Sequence, residues 1–146
     1  MNNLEIAKPI KILLVEDNMG DVRLTREAFK ECKVANVIEA VSNGEEALAF
    51  LNRNGSKSAE HPDIILLDLN LPKKDGREVL AEIKNDPALK RIPVVILTTS
   101  KADQDILKCY DMHANCYITK PVDVNEFVKV VRQIEDFWLT IVKLPS

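Results

Sequence analysis

Short apolar runs alternate along this chain with segments in which apolar residues recur every three or four positions. Three runs stand out, at residues 10–15, 63–68 and 92–99. None of them alternates apolar with polar positions. Continuous runs rich in Ile and Val are typical of strands buried on both faces of a parallel sheet. Two weaker runs, 36–41 and 115–119, bring the predicted number of strands to five.

Helical periodicity fills the stretches between and after these strands. The predicted helices cover residues 19–32, 43–53, 76–85, 101–112 and about 123–142. Two of them begin with capping patterns, because Ser42 precedes Glu45 by three residues and Asp123 precedes Glu126 by three. The repeated strand–helix order predicts an α/β fold, a doubly wound parallel sheet with helices on both faces.

Bulk composition narrows the class of protein. The 146 residues suit one domain, 1–146, with an extended C-terminal helix and tail from about 123 and no output domain. The net charge is −3, whereas proteins that bind nucleic acids usually carry an excess of positive charge. No apolar stretch is long enough to span a membrane, and the first residues lack a secretory signal pattern. We therefore expect a cytoplasmic protein with neither a membrane nor a nucleic acid as partner.

Polar side chains stand where several predicted strands end. Glu16 and Asp17 follow the first strand, Asp68 ends the central one, and Thr98 ends the next. Ligands of an open parallel sheet bind beyond the carboxyl ends of its strands, so these groups should converge. Close carboxylates repel one another by roughly 4 kcal/mol per pair at an effective dielectric near 20.

A hard divalent cation would relieve this repulsion, since oxygen ligands suit Mg²⁺. We expect Asp17 and Asp68 to be direct ligands and Glu16 to hold a metal-bound water. Asp68 can also attack a phosphoryl group and form an acyl phosphate. Lys120 would then neutralise the phosphoryl oxygens, and Thr98 would donate a hydrogen bond to one of them. Each residue alone is more typical of a turn or a cap, but their coincidence at several strand ends favours the chemical interpretation.

Four stretches, LLVEDN, DIILLDLNLPKKDG, VVILTTS and CYITKP, resemble the receiver domain of two-component response regulators. The resemblance covers nearly the whole chain. It implies a flavodoxin-like sheet of five strands in the order 2-1-3-4-5 with five helices. It also implies that a histidine kinase transfers a phosphoryl group from its phosphohistidine to Asp68.

The same resemblance implies roles for further residues. The backbone carbonyl of Asn70 would complete a metal site with Glu16, Asp17 and Asp68, filled by Mg²⁺ or, as a substitute, Mn²⁺. Thr98 and Tyr117 would form a switch pair, and Lys120 would bind the phosphoryl group. Such a protein turns over no downstream substrate; it signals to another protein through a phosphorylation-driven change of conformation, and only phosphotransfer to itself and autodephosphorylation are expected.

Two details concern the kind of receiver. The acidic pair is Glu-Asp where Asp-Asp is commoner, a tolerated variant that leaves the metal prediction standing. The long tail, with DFWLTIVKLP at 136–145, and the extended loop at 52–62 resemble stand-alone receivers that serve phytochrome-type histidine kinases. A kinase of that type is therefore the expected partner.

The terminal helix carries more apolar surface than one sheet can cover. Its apolar residues occupy more than half of its circumference, whereas packing on one sheet needs a stripe of roughly 100°. The residues are Val124, Phe127, Val128, Val130, Val131, Ile134, Phe137, Trp138, Ile141 and Val142. The surplus favours a homodimer through the fourth helix, fifth strand and fifth helix. The alternative is a tail that folds back over its own sheet edge.

Three other functions fit the residues less well. An aspartyl phosphatase of the haloacid-dehalogenase type has a second acid two residues after its nucleophile, and here that position is Asn70, which cannot act as a general acid. A nucleotide- or flavin-binding module needs a glycine-rich loop, whereas EDNMGD has one glycine and several acids. A DNA-binding regulator needs a helix-turn-helix, and none follows.

Overall fold

The computed structural model describes residues 9–30, 35–52, 61–69, 71–98 and 116–120, together with the isolated positions 123, 125, 126 and 129. Within these ranges strands and helices alternate. The elements are β1 (Ile10–Val15), α1 (Met19–Lys30), β2 (Asn36–Val41), α2 (Gly44–Asn52), β3 (Ile64–Asp68), α3 (Gly76–Asn85), β4 (Val94–Thr98) and β5 (Cys116–Thr119). The helices predicted at 101–112 and, apart from isolated positions, at 123–142 lie outside the described residues.

The five strands form one parallel sheet in the order β2-β1-β3-β4-β5. This confirms the predicted fold class and strand order. Every residue of β3 and β4 is buried, in agreement with their unbroken apolar sequence. β2 lies at an edge of the sheet and none of its residues is fully buried, which explains the mixed polarity of that run.

Apolar side chains pack on both faces of the sheet. On one face Ile12 and Leu14 of β1 pack in a cluster with Val22 and Phe29 of α1. Their neighbours in β1 point the other way, because successive side chains of a strand alternate between faces, and join a second cluster with α2 and α3. Truncating Phe29, which is 2% exposed, would cost about 3–5 kcal/mol of folding free energy.

Helix starts follow the predicted capping chemistry with one change of register. Oδ1 of Asp123 accepts the N–H groups of Asn125 and Glu126, as the pattern predicts. The prediction of Ser42 as the cap of α2 was wrong. Oδ1 of Asn43 accepts the N–H of Glu46 instead, and the Glu46 carboxylate accepts the N–H of Ser42. An Asn side chain reaches the free N–H groups as well as a Ser does, so the pattern alone permitted either start.

Strand ends also differ from the predicted bounds by a residue or two. β4 begins at Val94 and not at Ile92, because Pro93 has no N–H to donate to a neighbouring strand. Its carbonyl still accepts the N–H of Ile65. In the part of the chain that the structure describes, no helix is long and apolar enough to cross a membrane.

Candidate functional site

The carboxyl ends of β1, β3 and β4 bring the predicted polar residues to one edge of the sheet. The register pairs Val15 with Leu67 and Asp68 with Leu97, so Glu16 and Asp68 end neighbouring strands at the same level. Both carboxylates are buried, whereas Asp17 is exposed. One carboxylate oxygen from each of the three residues lies within 4.8 Å of the other two. The tertiary structure therefore forms an acidic cluster, which we define as Glu16, Asp17 and Asp68.

Lys120 supplies the positive charge of this site. Its Nζ atom lies 2.7 Å from Oε1 of Glu16 and 2.9 Å from Oδ2 of Asp68. The backbone of Lys120 is held as well, since its N–H donates to the carbonyl of Thr98 directly after β5. The lysine that follows the last strand is thus anchored to the strand next to the one that carries Asp68.

Burial and charge change the acid–base properties of this pair. Burial raises the pKa of Glu16 from 4.5 to about 7, and the nearby Asp68 carboxylate adds to the rise, while the Lys120 hydrogen bond opposes it. Burial also disfavours the charged form of Lys120, but its hydrogen bonds to Glu16, Asp68 and Asp21 raise the pKa of the ammonium above its ordinary value. Lys120 therefore remains a cation, and Glu16 is poised to bind a proton or a cation near neutral pH.

Asp21 belongs to the site although the sequence prediction did not include it. Its Oδ2 atom lies 3.1 Å from Nζ of Lys120. Asp21 occupies the first turn of α1, where an acid is usually explained by the free N–H groups of the helix start. Because this role at the helix start already explains an acid at position 21, the residue type by itself gives no separate indication of its contact with Lys120. One sequence feature could have indicated this contact: Asp21 follows Glu16 and Asp17, the acids at the end of β1, by only a few residues.

The remaining predicted site residues are placed to different extents. Thr98 is fully buried at the end of β4. Tyr117 lies in β5 opposite Ile96, but its side chain lies outside the described part of the structure, as does the whole of Asn70. The metal role of Asn70 and the switch role of Tyr117 therefore remain predictions.

The segment after β3 packs closely enough to hold the backbone of Asp68 in place. A Cβ atom added to Gly76 would lie 2.5 Å from the carbonyl oxygen of Asp68 and 2.7 Å from Cα of Leu69. The N–H of Gly76 also donates to the carbonyl of Leu69. Lys73, within this segment, has a left-handed backbone with φ of 66°. The start of α3 thus abuts the main chain that carries Asp68, and only glycine permits this approach.

The donors of the acidic cluster suit a hard divalent cation. All three offer carboxylate oxygen, the ligand that Mg²⁺ and Mn²⁺ prefer. Two of the carboxylates are buried and the third is exposed, so the cluster is open to solvent on one side. The raised pKa of Glu16 points the same way, because a bound cation would offset the cost of burying its charge. The residues present therefore fit such an ion.

Comparison with known proteins agrees with this geometry. The family model for the response regulator receiver domain matches residues 12–132. Response regulator Rcp1 of Synechocystis sp. is 50% identical over 143 residues, which cover 97% of this chain and 97% of Rcp1.

Solved structures of response regulators share the fold. The phosphorylated cyanobacterial phytochrome response regulator RcpA is 54% identical, with a TM-score of 0.71 over 95% of this chain and all (100%) of that one. The bacteriophytochrome response regulator AtBRR is 42% identical, with a TM-score of 0.80 over 90% of this chain and 96% of that one. The Mn²⁺-bound form of Rcp1 has a TM-score of 0.69 at 50% identity, over 94% of this chain and 100% of that one.

Proposed function

This chain belongs to the response regulator receiver domain family, and from that premise we propose that it is a single-domain response regulator whose Asp68 accepts a phosphoryl group from a histidine kinase. The receiver domain would span residues 1–146. The protein would act in the cytoplasm. It would signal through its own change of conformation and would turn over no separate substrate.

The observation that carries this proposal is the pairing of Asp68 with Lys120. The Asp68 carboxylate is buried at the carboxyl end of β3, and the ammonium lies 2.9 Å from its Oδ2 atom. Glu16 and Asp17 provide further carboxylate oxygens within 4.8 Å. A nucleophilic carboxylate beside a cation and an acidic cluster suits phosphoryl transfer, in which the protein mainly aligns the groups and neutralises charge.

In the proposed reaction an oxygen of Asp68 forms a bond to phosphorus while the phosphorus–nitrogen bond of the donor phosphohistidine breaks. The bonding electron pair remains on the imidazole nitrogen, and the product is an acyl phosphate. The Lys120 ammonium donates a hydrogen bond to one phosphoryl oxygen, and the Thr98 hydroxyl donates to a second.

The carboxylates of Glu16, Asp17 and Asp68, with the backbone carbonyl of Asn70, would hold Mg²⁺, or Mn²⁺ as a substitute. Such an ion supplies positive charge against the phosphoryl oxygens. The oxygen donors of the acidic cluster support this assignment, as does the Mn²⁺-bound structure of the related Rcp1.

The proposed output is a shift of population between two conformations. A phosphoryl group that binds the Thr98 hydroxyl favours the conformation in which Thr98 lies near it, and Tyr117 would follow into the vacated space. The surface that changes would include β5 and the predicted fourth and fifth helices, the face through which we propose a homodimer and contact with a downstream protein. Relatives that are phytochrome response regulators support a phytochrome-type histidine kinase as the phosphoryl donor.

Phosphotransfer from a purified, phosphorylated kinase of that type tests the proposal. The parent should take up one phosphoryl group per chain when Mg²⁺ is present, whereas Asp68→Asn should take up none. Asp63→Asn is a matched control, because Asp63 precedes the same strand at its other end and its carboxylate accepts the N–H of Lys11. Labelling of Asp68→Asn at the parent rate would refute the proposal. So would uptake by the parent that is equally fast when a chelator has removed the metal before the kinase is added. Many turnovers of a phosphomonoester would favour a phosphatase instead.

A further inference from the structure

A carboxylate outside the acidic cluster shares the Lys120 ammonium. Oδ2 of Asp21 lies 3.1 Å from Nζ, the longest of the three contacts that the ammonium makes with carboxylates. The Asp21 side chain is 33% exposed, whereas those of Glu16 and Asp68 are 2% and 5% exposed. Asp21 is therefore the partner of Lys120 that water reaches most easily.

The local structure of α1 holds Asp21 at this position. Its N–H donates to Oδ1 of Asn18, the residue before the helix, at 2.9 Å. Its carbonyl accepts the hydroxyl of Thr25, also at 2.9 Å. The N–H of Asn18 in turn donates to Oε2 of Glu16. The backbone of Asp21 is thus tied to the same segment that carries the acidic cluster, and its contact with Lys120 does not depend on a long, freely moving side chain.

The three carboxylates match the capacity of the ammonium. A lysine ammonium has three N–H donors and no acceptor, and Glu16, Asp68 and Asp21 each place an oxygen within 3.1 Å of Nζ. A phosphoryl group that approaches the Asp68 carboxylate brings additional anionic oxygens that require the same donors. One of the three carboxylates therefore has to lose its hydrogen bond from the Lys120 ammonium. Asp21 can do so at the lowest cost, because its partly exposed carboxylate regains hydrogen bonds from water.

We infer that Asp21 is a positioning residue that draws the Lys120 ammonium away from the incoming phosphoryl group and so slows phosphoryl uptake by Asp68. Its negative charge also repels the anionic donor at the entrance to the site. This inference rests on the proposed function of Asp68 and Lys120. Asp21→Asn keeps the size of the side chain and one acceptor oxygen but removes the charge. Uptake should become about two- to tenfold faster, the range expected for one partly exposed hydrogen bond between charged groups.

The test uses the full chain with Mg²⁺ and phosphoramidate, a small anionic phosphoryl donor, and follows the mass of the intact protein over time. The variants are Asp21→Asn, a second neutral variant Asp21→Ser, the charge-conserving Asp21→Glu, and Glu27→Gln. Glu27 is the matched control, because it lies on the same helix, is 60% exposed and pairs at 3.2 Å with Lys30, away from the site. Both neutral Asp21 variants should be faster than the parent, whereas Asp21→Glu and Glu27→Gln should stay within about twofold of it.

Ionic strength separates this role from a structural one. Raising it from about 0.1 M to about 1 M shortens the Debye length from about 10 Å to about 3 Å, so the advantage of Asp21→Asn should shrink. A merely structural role for Asp21 would make its variants slower and would not produce a gain that depends on salt.

Two kinds of failure can be told apart. If the parent is labelled, Asp68→Asn is not, and the neutral Asp21 variants are no faster than the parent, the inference is overturned and the proposed function stands. An equal gain in Glu27→Gln would also overturn the inference, because general charge would then explain it. If the parent is not labelled, or Asp68→Asn is labelled equally, the proposed function fails and the inference fails with it.

Discussion

The carboxylate of Glu16 and the ammonium of Lys120 lie 2.7 Å apart, one directly after the first strand of the sheet and the other directly after β5. Neither group is well solvated, since Glu16 is 2% and Lys120 12% exposed on the side chain. The pair therefore joins two distant parts of the chain at the edge of the sheet where Asp68 ends β3. Its charge balance affects both the stability of the fold and the binding of a cation.

Replacement of Glu16 by Gln should stabilise the metal-free protein at alkaline pH. The pKa of Glu16 is raised from 4.5 to about 7 in the folded state, so the folded protein binds more protons than the unfolded chain between these values. Stability then falls as pH rises through this window. Gln cannot ionise, and Lys120 keeps Asp68 and Asp21 as counter-ions when Glu16 is replaced. Glu16→Gln should therefore be more stable than the parent by about 1–3 kcal/mol at pH 8 and by much less at pH 5.

Urea unfolding in the presence of a chelator at both pH values measures this difference. Glu27→Gln serves as the control, because Glu27 is exposed and its replacement should change the unfolding free energy by less than about 0.5 kcal/mol. A Glu16→Gln variant that is less stable than the parent at pH 8 would contradict the prediction.

Replacement of Lys120 by Gln should have the opposite effect. It leaves the buried carboxylates of Glu16 and Asp68 without their counter-ion, and breaking a buried pair from one side costs about 3–5 kcal/mol. We expect much of this loss at pH 8 to be recovered at pH 5, because the carboxylate of Glu16, whose pKa is raised by burial, can then take up a proton. Addition of Mg²⁺ should also restore stability, and urea unfolding with and without the ion measures both effects. An equal loss at the two pH values would argue against this electrostatic explanation.

Replacement of Asp17 by Asn should separate metal binding from folding. Asp17 is exposed, and its charge lies close to those of Glu16 and Asp68, so its neutralisation relieves repulsion and should not lower the metal-free stability. The parent should gain about 1–3 kcal/mol from saturating Mg²⁺ or Mn²⁺ through binding to the folded state alone. Asp17→Asn should lose most of that gain, while the control Asp63→Asn should keep it. Thermal unfolding with and without the ion measures this gain in stability. If Asp17→Asn gains as much stability from the ion as the parent does, the ion binds at another site.

Replacement of Gly76 by Ala should disturb the backbone beneath Asp68. The added Cβ would lie 2.5 Å from the Asp68 carbonyl oxygen, so the start of α3 or the end of β3 has to move, at a cost of about 1–3 kcal/mol. Gly20→Ala is the control, because its Cβ would come no closer than 3.1 Å, to Oδ1 of Asn18. We expect Gly76→Ala to be destabilised in urea and to label more slowly with phosphoramidate than Gly20→Ala. Equal behaviour of the two variants would show that the close approach is unimportant.

Much of the fold was predictable because it depends on local patterns. Unbroken apolar runs are typical of strands buried on both faces, and β3 and β4 are buried throughout. The cap of α2 was displaced by one residue, to Asn43, because neighbouring polar side chains can satisfy the same N–H groups. Glu16, Asp17, Asp68 and Lys120 were predicted to converge because parallel strands bring their carboxyl ends to one edge.

The sequence by itself thus determined the strands, their parallel arrangement and the residue types at the carboxyl edge of the sheet, since these follow from hydrophobic periodicity and strand direction. The order of the strands did not follow from that pattern; it was implied by the resemblance to receiver domains and is seen in the sheet. Only the tertiary structure decided which acids share the Lys120 ammonium. The contact of Asp21 with Lys120 depends on how α1 leaves β1 and on how β5 pairs with β4. No periodicity encodes that relationship, because it is set by packing between residues far apart along the chain.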